Sequence, residues 1–175
     1  MLDFLRTLPD FYPDKVSADS PDPEIRAVAA LLASRPSSPF ARSIHVRMVD
    51  AGSPNDVELE EQLMMSPRVD AERFGVHFVA SPRHADVLLV SGPVTVNMRT
   101  ALLKTYDAMA EPRAVVAAGD GAVSGFPVSE GGYALAGSGR VKDTIPVDVE
   151  VPGNPPTPYA LLRGILQAGI ELSKK

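Results

Sequence analysis

The chain has 175 residues, an apolar fraction of 45% and a formal net charge of −5, which together describe one mildly acidic domain able to bury a core. Cysteine is absent, which excludes disulfides, thiolate zinc sites, a nucleophilic cysteine and conventional iron–sulfur clusters. There is no basic stripe for nucleic acid, no apolar run long enough to cross a bilayer and no basic-then-apolar leader, so a cytoplasmic protein is expected.

Residues 1–22 read as an irregular arm, with Phe11 and Tyr12 set among prolines and aspartates. Pro23-Glu24-Ile25-Arg26 opens a short helix through Leu31 and Leu32, with Asp22 as its cap and Pro23 in its first turn. Residues 1–42 therefore form an arm and short helix ahead of an α/β domain over 43–175. Ser43–Val49 alternates apolar and polar residues and reads as the first strand. Asp50-Ala51-Gly52-Ser53-Pro54-Asn55 turns the chain into a helix over Val57–Met65. Asn55 and Glu58 have capping-box spacing there, and Leu59 and Leu63 are expected to face the core.

Arg73–Ala80 reads as the second strand. Val87–Val90 is an unbroken apolar run ending in Ser91-Gly92-Pro93, the pattern of a strand covered on both faces. A helix follows, capped by Thr95 or Asn97, with Met98, Leu102, Tyr106 and Met109 on one face. Ala114–Ala118 is a second buried strand and ends in Gly119-Asp120-Gly121. Ile145–Val151 reads as the last strand, and Thr157 caps a closing helix whose apolar face is Leu161, Leu162, Ile165, Leu166 and Ile170. Strand, loop and helix alternate throughout. The expected fold is a single-domain, flavodoxin-like parallel sheet of about four to five strands with helices on both faces and functional loops at the strands' carboxyl ends.

Local chemistry declares no catalytic residue. His45 and His77 fall within strands, and His84 lies in a loop with no obvious carboxylate partner in sequence. No Ser-His-Asp elbow, phosphate loop or zinc-binding HExxH occurs. The glycines between 121 and 141 are not spaced for a dinucleotide between a strand and a helix. Glu58, Glu60 and Glu61 read as a solvated helix face with one inward member.

Several separated motifs do carry a resemblance. Pro67–Val76, Ala80–Gly92, Tyr106–Arg113, and Ile145–Val149 followed by Pro152-Gly153 occur in order. Together they resemble the 20-kDa (B or PSST) subunit of NADH:quinone oxidoreductase and the small subunit of membrane-bound nickel–iron hydrogenases. The turn Asp50–Ser53 with Glu58-Leu59-Glu60 is closer to the hydrogenase branch. The resemblance covers about residues 43 to 172.

That resemblance implies a flavodoxin-like fold holding one 4Fe–4S cluster at the sheet's carboxyl edge against a large subunit. The four ligand positions fall here on Pro54, Val57, Gly121 and Asn154, none of which supplies a thiolate. Glu60, Met64, Met65, Arg68, Arg73 and Arg83 match family positions near the cluster, the quinone cavity or the large subunit. The resemblance thus implies a divergent member with no metal and no cofactor. It would serve as a structural or docking subunit beside a 49-kDa-like or hydrogenase large-subunit-like homologue, without redox activity of its own. It would reach the inner face of the cell membrane only through partner subunits. The alternative is a binding protein for a flavin or phosphorylated ligand, using Ser91-Gly92, Gly119–Gly121 and Pro152–Asn154.

Overall fold

The computed structural model describes residues 18–125 and 135–175. The aromatics of the amino-terminal arm and the glycines at 131 and 132 lie outside the described residues. Five parallel strands form one sheet: β1 (Ile44–Asp50), β2 (Val76–Phe78), β3 (Val87–Ser91), β4 (Ala114–Ala118) and β5 (Val149–Val151). Their order is β2-β1-β3-β4-β5, the flavodoxin-like arrangement, which reverses direction of growth between β1 and β3. Asp50, Ser91, Ala118 and Val151 are in register across the sheet, so the loops that follow them share one edge.

The helices are α1 (Pro23–Ala33), α2 (Pro39–Arg42), α3 (Asp56–Met64), α4 (Val96–Asp107), α5 (Gly119–Ser124) and α6 (Pro158–Leu172). Every residue of β3 and β4 is buried, as their unbroken apolar sequence requires. One core joins β1, β3 and β4 to α1, α3 and α6 through Val46, Leu89, Val116, Leu162 and Ile165. A second core on the opposite face joins Leu88, Val90 and Val115 to Leu102 and Met109. Asp22 caps α1 by accepting from the Glu24 N–H (2.8 Å), Thr95 caps α4 and Thr157 caps α6. No described helix is long and apolar enough to cross a membrane.

Three elements differ from expectation. The second strand keeps only Val76–Phe78, because Ala71–Phe74 winds into a tight turn that Gly75 ends at φ +80°. The last strand keeps only Val149–Val151. Pro146 offers no N–H to a ladder, and the Asp148 carboxylate takes the Val115 N–H (2.9 Å) in place of a backbone carbonyl. Asp86 does the same for the His45 N–H, also at 2.9 Å. The helix after β1 buries Val57 and Met64, whereas Leu59 and Leu63 are 53% and 51% exposed. Finally, Asn55 sits at φ +72° without a side-chain capping bond. Glu58, expected to complete a capping box, is drawn elsewhere.

Candidate functional site at the carboxyl edge

The edge is built from short polar ties. The Asp50 carboxylate accepts from the N–H groups of Gly52 and Ser53, both at 2.7 Å, and so fixes the first loop in a tight side-chain turn. Ala51 then bonds the third strand's loop twice: its N–H donates to the Ser91 carbonyl (3.0 Å), and its carbonyl accepts from the Thr95 N–H (3.0 Å). Glu58, on the first turn of α3, accepts from both the Ser53 and Ser91 hydroxyls, one on each carboxylate oxygen. Ser91 is fully buried, so its hydroxyl needs such an acceptor. Glu58 therefore turns inward and bridges the point where the strand order reverses.

The remaining loops close against these. Asp120 and Gly153 exchange two hydrogen bonds, tying the loop after β4 to the loop after β5. Gly92 takes φ +69°, and a Cβ there would lie 2.2 Å from the Ser53 nitrogen. A Cβ on Gly121 would lie 2.9 Å from Pro93 Cδ, and one on Gly119 would lie 2.9 Å from Val57 Cγ2. The loops of β1, β3, β4 and β5 are thus in mutual contact.

The four positions matched to cluster ligands have unlike settings on this edge. Pro54 and Asn154 are exposed, Gly121 is half-buried, and Val57 is 1% exposed as part of the core. A proline ring, a valine, a hydrogen atom and an exposed carboxamide provide no thiolate, so these residues do not fit an iron–sulfur cluster. Among the described residues, no three or more His, Cys, Asp or Glu side chains are grouped to hold a metal ion.

The other expected residues separate. Met64 is fully buried in the core, so it presents no surface to a partner, while Met65 is 51% exposed. Glu60 is half-buried, and Arg68, Arg73 and Arg83 are exposed. The Arg73 guanidinium lies 4.7 Å from the Phe74 ring centroid, a brace within its own turn. His45 meets Asp86 at 3.2 Å and His77 at 5.7 Å between ring centroids, at the opposite edge of the sheet.

Sequence reasoning missed the Ser53–Glu58–Ser91 bridge. Its signal was Ser91 itself, a hydroxyl closing a wholly apolar strand. Beside the bridge, burial pushes the Glu61 carboxyl up to about 6; the Glu58 charge adds to the rise and Arg47 opposes it. On α3, Leu59 and Leu63 point away from the sheet, about 120° or more around the helix from Val57 and about 100° or more from Met64.

Comparison with known proteins gives this arrangement a context. The family model described as NADH ubiquinone oxidoreductase, 20 Kd subunit, matches residues 42–168. A probable membrane-bound hydrogenase subunit of Pyrococcus furiosus is 43% identical over 135 residues, covering 77% of this chain and 79% of that protein. Formate hydrogenlyase subunit 7 of Escherichia coli is 40% identical over 127 residues, covering 73% of this chain and 49% of its own length. Among solved structures, a chain of the membrane-bound sulfane sulfur reductase, an archaeal respiratory membrane complex, superposes with a TM-score of 0.65 at 25% identity. That match covers 87% of this chain and 77% of the other.

Proposed function

This chain belongs to the NADH ubiquinone oxidoreductase 20 Kd subunit family, and from that premise we propose that it is a cluster-less structural subunit. It docks beside a large-subunit homologue in a membrane-associated oxidoreductase assembly and carries no electrons through a cluster of its own. Its membrane association is peripheral and runs through its partners.

The observation that carries the docking role is the double-faced α3. Val57 and Met64 anchor its inner side, while Leu59, Leu63 and the following Met65 are each at least half exposed. Scattered apolar exposure is ordinary, but Leu59 and Leu63, one turn apart on one short helix, form a coherent ridge. The ridge leaves the edge where the relatives' ligand positions map, and Asp56 and Glu60 border it with acidic groups. An apolar groove with a basic rim is the matching surface on the partner. The absence of thiolate donors at 54, 57, 121 and 154 supports the cluster-less part of the reading. The flavin or phosphate alternative gains no comparable support, since the loops that would frame such a ligand touch one another.

The deciding experiment is anaerobic purification of the tagged protein from its own organism, with iron content, visible spectrum and bound proteins recorded. A co-purifying large-subunit homologue, and no iron in the separated chain, is the expected result. A cluster spectrum retained by the separated chain overturns the proposal, and a stoichiometric flavin replaces it with the alternative.

A further inference from the structure

We infer that the cluster site has been lost from the packing of this chain as well as from its side chains, so that returning cysteine to positions 54, 57, 121 and 154 does not return a cluster. The inference rests on the reading that the natural chain holds none, and goes beyond it by locating the obstacle in the backbone.

Position 121 is hemmed by rigid atoms. A Cβ there would stand 2.9 Å from Pro93 Cδ, 3.2 Å from Pro93 N and 3.3 Å from Gly92 Cα. None of these can rotate aside, because they belong to a ring and to the main chain. Gly92 is itself pressed on the Ser53 backbone, so Pro93 has no slack in that direction. Position 57 has a different obstacle. Val57 is core, with Cγ2 over Gly119, and a thiol in apolar surroundings resists the ionisation that binding iron needs. Positions 54 and 154 are exposed. Four thiolates around one centre therefore require the loops to move. The Ser53–Glu58–Ser91 bridge and the Asp120–Gly153 pair hold the loops where they are.

The test is the variant P54C/V57C/G121C/N154C, reconstituted anaerobically with ferrous iron and sulfide. The expected result is no stoichiometric iron or sulfide after desalting, and no cubane resonance in the reduced protein. Four irons per chain with that resonance overturn the inference, while leaving the cluster-less reading of the natural chain intact. The single variant G121A tests the same obstacle without depending on the folding of the quadruple one. One methyl group pressed on Pro93 lowers the melting temperature by about 2–8 °C. An unchanged melting temperature shows that the position is open and overturns the inference.

Discussion

Asp120 and Gly153 hold each other twice: the Asp120 N–H donates to the Gly153 carbonyl at 2.8 Å, and the Gly153 N–H donates to the Asp120 carboxylate at 2.9 Å. The pair closes the gap between the ends of β4 and β5. Asp120→Ala leaves the Gly153 N–H without this acceptor and is expected to cost about 1–2 kcal/mol. Asp120→Asn retains an acceptor oxygen and should cost less. Urea unfolding of both variants checks the order.

Glu58 should behave as a tie between loops. Glu58→Ala strands the buried Ser91 hydroxyl and is expected to lose about 1–3 kcal/mol. Glu58→Gln keeps an oxygen for one serine and an amide that the other can accept from, so it should recover most of that loss. Equal destabilisation by both variants would mean that the charge, and not the hydrogen-bond pattern, holds the loops.

Glu61 gives stability a pH dependence of definite sign. Its carboxyl is raised from about 4.5 to about 6, chiefly by burial, then by the Glu58 charge, with Arg47 opposing. A group that holds its proton more tightly when folded favours the folded state at low pH. That contribution is full below about 4.5 and is lost as pH rises through about 6. Glu61→Gln should therefore raise the melting temperature at pH 7 relative to the natural chain, and the difference should shrink toward pH 4.5. Thermal melts across that range provide the check.

Gly164 is where α6 meets the sheet, since a Cβ there would lie 2.3 Å from Val151 Cγ2. Alanine improves helix propensity by about 1 kcal/mol, yet the forced separation of α6 from β5 costs about 1–3 kcal/mol. Gly164→Ala is expected to lower stability on balance, by calorimetry. A rise would show that β5, only three residues long, gives way freely.

The ridge on α3 separates folding from association. Leu59→Ser with Leu63→Ser removes apolar groups that are about half in solvent, so the isolated chain should stay folded with a loss of about 1–3 kcal/mol. Recovery of the large-subunit homologue on a tagged chain should fall steeply. Undiminished recovery would move the docking surface elsewhere.

The strands that needed no partner information were legible in sequence. Val87–Val90 and Ala114–Ala118 are apolar throughout and occupy the centre of the sheet, and Asp22, Thr95 and Thr157 cap the helices expected of them. The last strand is shorter than its apolar pattern because the Asp148 carboxylate supplies a ladder bond, and a side-chain acceptor leaves no periodic trace; the second is shorter because Ala71–Phe74 winds into a turn that Gly75 ends. Helix α3 misled for a physical reason: periodicity marks an apolar stripe without saying what the stripe faces. Leu59 and Leu63 make the more obvious stripe, while Val57 and Met64 make the one that is buried. The resemblance assigned positions 54, 57, 121 and 154, but no pattern in the sequence announces the contacts that surround them. Those contacts come from residues far away in sequence, Pro93 against Gly121 and Gly119 against Val57.

The contact of Gly92 with Ser53 bears on how such a chain can change over generations. The path of both loops is enforced by a missing side chain, with a Cβ at Gly92 falling 2.2 Å from the Ser53 nitrogen. Heritable substitutions can therefore accumulate at exposed positions such as 54 and 154 at little cost to folding, whereas position 92 admits glycine alone. A subunit built this way is inherited with the course of these two loops written into its main chain.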